Sequence, residues 1–125
     1  MSATILLIDD EKLVCDPLAC FLERLGYRVL TARTGEEGVD IYRREGAKVD
    51  LVILDWILPG GGGAWTLAEL RGVEPDCRVA VFSGQPDALE GVDADAFIFK
   101  PVAMPVFLDK IRALLPAEDL CLTGE

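Results

Sequence analysis

Carboxylates stand at the ends of apolar runs in this sequence. Asp9, Asp10 and Glu11 follow the run at residues 5–8, and Asp55 follows the run at 51–54; Ser83 closes the run at 79–82, and Lys100, with Pro101 behind it, closes the run at 96–99. Acids held close together repel one another unless a cation offsets them. An all-oxygen donor set with open positions suits magnesium, which keeps several waters and leaves room for phosphate. These residue types point to a divalent metal site with a hydroxyl and an ammonium at hand. The plainer alternative, that each acid is solvated or caps a helix, is common for any single Asp.

A shared site requires that the runs lie side by side. Residues 5–8, 27–32, 51–54, 79–82 and 96–99 read as five strands, three of them nearly continuous in Val, Ile, Leu and Phe, as in strands covered on both faces. Arg28 interrupts the second run and marks a sheet edge. Helical patterns lie between them. The first carries Val14, Leu18, Phe21, Leu22 and Leu25 on one face, takes Pro17 in its first turn and stops at Gly26. The second opens on Thr34 and Glu37 with capping-box spacing and ends near Gly46. A third, over residues 64–71, grows out of the loop of Pro59 and the glycines at 60–63. The last opens near Met104 and Pro105, repeats Phe107, Leu108, Ile111, Leu114 and Leu115, and is stopped by Pro116. This alternation predicts a doubly wound α/β domain with helices on both faces, in which ligands sit at the carboxyl ends of the strands.

Composition narrows the classes of function. The 125 residues include 22 acidic and 12 basic side chains, a net charge of −10, which repels phosphate backbones and anionic lipid surfaces. Proteins or small molecules are the expected partners, with no nucleic acid and no membrane. No apolar run approaches the ~20 residues of a bilayer span. The N-terminus lacks the basic segment and cleavage site of a signal peptide, so the cytoplasm is the expected compartment. No histidine is present, which removes the common Ser-His-Asp and Cys-His schemes and the usual zinc and haem ligand sets. Cys15, Cys20, Cys77 and Cys121 form no CxxC pair and read as free thiols, small hydrophobes when buried.

Four pieces, "ILLIDDE", "LVILDWILPGGG", "VAVFSG" and "FIFKP", each after an expected strand and in this order, together resemble the receiver domains of two-component response regulators. The resemblance runs from about Thr4 to Leu115 and implies a flavodoxin-like parallel sheet in the order 2-1-3-4-5, with a receiver domain at residues 1–116 and a short tail at 117–125. It implies that Asp55 is the phosphoacceptor, that Ser83 bonds one phosphoryl oxygen and that Lys100 pairs with another. Asp10, Asp55 and the backbone carbonyl of Ile57 would hold Mg2+ (or Mn2+) directly, and Asp9 through water. Ser83 and Phe97 would form the switch, and Pro101 would follow a cis bond. The implied partners are a histidine kinase or phosphotransfer protein and a downstream protein target, with a homodimer as one assembly. Such a protein is a signalling phosphoacceptor rather than an enzyme, catalysing only its own phosphorylation and dephosphorylation.

The sequence also departs from the family. Gly62 stands where many receivers carry an acid, Gly84 where alanine is usual, Ser83 for the more frequent threonine, and Phe97 where tyrosine is common; as an alternative, Phe97 is simply core. Only twelve residues, 84–95, separate the fourth and fifth runs, and Pro86 and Gly91 leave one or two turns for the fourth helix, pointing to a modified output face. Ile57 cannot orient a water, so slow loss of the phosphoryl group is expected, with Gln85 able to act the other way. A protein-binding module independent of phosphate is the second reading. A hydrolase working through an aspartyl phosphate typically needs a second acid two residues after the nucleophile, where this chain has Ile57.

Overall fold

The apolar runs become strands because almost every residue in them can be buried on both faces of a sheet. The computed structural model describes residues 3–58 and 62–115. The strands are β1 (Thr4–Ile8), β2 (Arg28–Ala32), β3 (Leu51–Asp55), β4 (Val79–Ser83) and β5 (Ala96–Phe99). Every residue of β1, β3 and β4 is buried, whereas Arg28 and Thr31 of β2 and Phe99 of β5 are exposed. The two less apolar strands accordingly take the edges. All pairings are parallel, in the order β2-β1-β3-β4-β5. The expected sheet and its order are both observed.

Helices cover the sheet on both faces. α1 (Lys12–Arg24) and α4 (Met104–Leu114) pack Cys15, Leu18, Leu22, Phe107 and Ile111 against one face. α2 (Gly35–Glu45) and α3 (Gly62–Val73) pack Val39, Tyr42, Leu67 and Leu70 against the other. α1 ends as expected: Gly26 takes φ +99°, a conformation open to glycine and strained for other residues. Pro17, expected in the first turn, instead lies inside α1, which begins at Lys12. A proline there removes one intrahelical bond, to the carbonyl of Leu13. Leu13 is 91% exposed, where solvent can replace that bond.

Thr34 caps α2 by accepting from the Glu37 N–H at 3.0 Å, while the Glu37 carboxylate accepts from the Arg33 N–H at 2.8 Å. The reciprocal arm therefore reaches one residue beyond the cap. α2 ends at Glu45, and Gly46 keeps right-handed helical φ and ψ of −54° and −34° to lead into a 3-10 turn, Gly46–Lys48. α3 starts two residues earlier than expected, at Gly62, because Gly63 can press against Trp56: its N–H donates to the Trp56 carbonyl at 3.0 Å. A Cβ at Gly63 would lie 2.5 Å from the Trp56 ring. The expected short fourth helix is a four-residue 3-10 turn, Pro86–Leu89, anchored by buried Leu89. Pro59, Gly60, Gly61, Pro116, Cys121 and the tail lie outside the described residues. Cys15 and Cys77 are buried free thiols, and Cys20 is an exposed one.

Candidate phosphoacceptor site

Parallel register brings the strand ends together. Ile8 of β1 pairs with Leu54 of β3, so the next residues, Asp9 and Asp55, emerge side by side. Asp55 in turn pairs with Phe82, and Ser83 with Phe99, so Ser83 and Lys100 arrive at the same end of the sheet. The backbone continues the ladder past the strands: Asp9 N–H donates to the Ala32 carbonyl, Trp56 N–H to Phe82 and Lys100 N–H to Ser83, at 2.8–3.0 Å. The Lys100–Pro101 bond is cis, as the resemblance implied.

A cleft of about 570 Å3 opens there, lined by Asp10, Glu11, Asp55, Ile57, Gly84, Gln85 and Lys100. Asp55 is buried at its floor. Its Oδ1 accepts from the Ile57 N–H at 3.4 Å and from Lys100 Nζ at 3.5 Å. Burial, then the negative charge of Asp9, push the Asp55 carboxyl up to about 6, against the opposing pull of Lys100 and the Ile57 N–H. Asp9 is also buried. Its Oδ1 accepts from the Glu11 N–H at 2.9 Å, and its Oδ2 has no hydrogen-bond partner. An orphaned, buried carboxylate oxygen is costly unless a cation serves it.

One carboxylate oxygen each from Asp9, Glu11 and Asp55 lie within 4.8 Å of one another. This trio differs from the expected direct set: Asp10 is exposed and lines the same cleft, as does Ile57, while Asp9 is buried. With four acids facing the Lys100 ammonium, and an Asp9 Oδ2 that has no hydrogen bond and lies 3.9 Å from that ammonium, the donor set fits a hard divalent cation such as Mg2+.

Ser83 is fully buried, and its Oγ accepts from the Gln85 N–H at 3.0 Å. Phe97 is half-buried among the residues packed by α2, α3 and the 3-10 turn. Lys100 lies 3.9 Å from Asp9 Oδ2 and 3.9 Å from Glu11 Oε1, and its ammonium stands 4.8 Å from the centre of the Phe82 ring. Phe82 is a contributor to which the sequence reading gave no role, and Glu11 one that it grouped with the acids of the site without a role of its own. The signal for Glu11 was present, as the third acid after β1; Phe82 carried none, since an aromatic residue in a buried strand reads as core.

A model of the response regulator receiver domain family matches residues 5–112. Among curated proteins, the chain is 33% identical to the sensor kinase CckA of Brucella abortus, over 94% of this chain and 13% of that protein. It is 36% identical to the transcriptional regulatory protein YvrH of Bacillus subtilis, over 91% of this chain and 49% of that protein. The chain therefore spans about half or less of the curated relatives it matches. Among solved structures, a response regulator receiver domain protein from Clostridium thermocellum superposes with a TM-score of 0.84 at 28% identity, covering 95% of this chain and 98% of that one.

Proposed function

The chain belongs to the response regulator receiver domain family, and from that membership we propose that Asp55 takes a phosphoryl group from a histidine kinase or phosphotransfer protein, in a reaction dependent on Mg2+ (or Mn2+), and that the change switches a protein–protein contact. The observation that carries this reading is the Asp55 carboxylate itself. It is buried at a strand end, pushed up to about 6, and shares its cleft with further acids and the Lys100 ammonium.

In this reading Asp55 attacks phosphorus, the bond to the donor nitrogen or oxygen breaks, and the donor leaves with that electron pair. Lys100 pairs with one phosphoryl oxygen, and the Ser83 hydroxyl turns to donate to another. Asp10, Asp55 and the Ile57 carbonyl would hold the cation directly and Asp9 through water; when bound, it would offset charge on the acids and on the phosphoryl oxygens. Phosphorylation changes the local charge by roughly −1 and adds strong acceptors. Ser83 moves toward them and Phe97 follows into the space it leaves. The domain catalyses only its own phosphorylation and dephosphorylation. It spans residues 1–116, with 117–125 as a tail, and acts in the cytoplasm on a downstream protein. Among the described residues no helix is long and apolar enough to cross a membrane.

The experiment that tests this reading is transfer from a promiscuous histidine kinase labelled with radioactive ATP. Label should pass to the wild type, depend on Mg2+, and fail to reach Asp55→Ala. Equal labelling of the two would overturn the assignment of Asp55.

A further inference from the structure

Among the described residues Lys100 is the only ammonium lining the cleft, and three carboxylates share it. Its Nζ lies 3.5 Å from Asp55 Oδ1, 3.9 Å from Asp9 Oδ2 and 3.9 Å from Glu11 Oε1. The first two partners are buried and fixed, but the Glu11 side chain is 62% exposed. The Glu11 backbone is nonetheless held: its N–H donates to Asp9 Oδ1, and its carbonyl accepts from the Val14 and Cys15 N–H groups at the start of α1. Glu11 occupies the N-cap of α1 yet makes no side-chain capping bond. The carboxylate that could have capped the helix lines the cleft instead.

The stem of Lys100 is anchored as well, since its ammonium stands over the Phe82 ring and its backbone is bonded to Ser83. The ammonium therefore sits among three carboxylates, one oxygen of each lying within 4.8 Å of the others. A phosphoryl group on Asp55 would add acceptor oxygens that compete with Glu11 for this ammonium.

We infer that Glu11 is a positioning residue for Lys100, an outer tether whose carboxylate competes with the phosphoryl group for the ammonium and so limits how tightly the phosphorylated state is held. The inference rests on the phosphoacceptor reading above. A partly exposed pair at this distance is weak, so the effect is a tuning of the site and not a requirement for it.

Beryllium fluoride, which with Mg2+ makes a tetrahedral phosphoryl mimic on a carboxylate, measures the hold directly, and the Trp56 indole next to Asp55 offers a fluorescence readout. Glu11→Gln should bind beryllium fluoride about two- to fivefold more tightly than wild type. In a Lys100→Met background the same substitution should lose that gain, because no ammonium remains to be released. Unchanged or weaker binding in Glu11→Gln overturns the inference. So does a gain that persists undiminished in Lys100→Met, since Glu11 would then act by general repulsion of anions. If Lys100→Met binds too weakly to compare, the side-chain NMR signal of Lys100 in the metal-free protein decides: it should move on Glu11→Gln, and a stationary signal shows that no tether exists. A wild type that binds no beryllium fluoride at all removes the phosphoacceptor reading together with the tether, whereas binding by the wild type with no response to Glu11→Gln removes the tether alone.

Discussion

A carboxyl pushed up to about 6 by burial and by Asp9 is only partly ionised in weakly acid solution, so Asp55 loses nucleophilic character as pH falls through that value in the absence of metal. The same shift governs stability. The folded value lies above the ordinary 3.8, so folding favours the protonated carboxyl: that contribution is complete below about 4 and is lost as pH rises through about 6. With a chelator present, Asp55→Asn should therefore be more stable than wild type at pH 7.5, by on the order of 2 kcal/mol, and the gap should close toward pH 4. Urea unfolding at both pH values checks this, and a mutant no more stable at pH 7.5 would contradict it. Ile57 bears on the reverse reaction. It lines the cleft beside Asp55 without a group to orient water, so Ile57→Asn should shorten the lifetime of the aspartyl phosphate by roughly two- to tenfold, about one hydrogen bond in free energy. An unchanged lifetime would show that Gln85 or the backbone sets the rate. At this scale the sequence told where Asp55, Ser83 and Lys100 would stand, at the carboxyl ends of their strands, because few residue types interrupt an apolar run there. It read less far at Asp9, Asp10 and Glu11. Adjacent acids at a strand end alternate between inside and outside, and their order along the chain does not say which oxygen loses its partner.

Elements hold the site through a few close contacts, and glycines in one helix separate packing from propensity. At Gly63 a Cβ would lie 2.5 Å from the Trp56 ring and 2.7 Å from the Trp56 carbonyl oxygen. Gly63→Ala must displace the loop that carries Ile57 and should cost about 1–3 kcal/mol. Gly72, in the same helix, has nothing within 4 Å of its Cβ position, so Gly72→Ala should stabilise by about 0.5–1 kcal/mol. Thermal unfolding of the two variants compares them directly, and a shift of the same sign in both would refute the distinction. The strands were legible because continuous Val, Ile and Leu runs have few other uses in a chain of this size, and the edge position of β2 followed from Arg28. Helix starts were less so. Pro17 matches a first-turn position by type, but it sits inside α1 because the helix is nucleated five residues earlier, where the Glu11 carbonyl accepts its first bonds. The early start of α3 depends on Trp56 meeting Gly63, a contact that no local pattern announces.

The whole molecule divides its core between two faces of one sheet, and the faces are not covered alike. α1 and α4 close one, whereas on the other the crossover from β4 to β5 contributes only the 3-10 turn at Pro86–Leu89. The twelve-residue spacing made that shortfall readable in advance; its conformation was not, since 3-10 and α turns share the same local signals. The electrostatics are also global. A chain of net charge −10 that concentrates acids in one cleft should be stabilised by divalent cation, by about 2.7 kcal/mol at a hundredfold excess over the dissociation constant. That gain should be lost in Asp9→Asn if the orphaned oxygen is part of the site, and melting with Mg2+ against melting with chelator tests it; an equal gain in the mutant would place the cation elsewhere. The central claim, that this fold makes Asp55 a metal-dependent phosphoacceptor, is met most directly by intact mass after incubation with acetyl phosphate or phosphoramidate, with and without Mg2+, for wild type and Asp55→Ala. A single phosphoryl adduct that requires the metal and vanishes in the mutant is the predicted result. No adduct on the wild type, or an adduct that survives Asp55→Ala, would contradict the account.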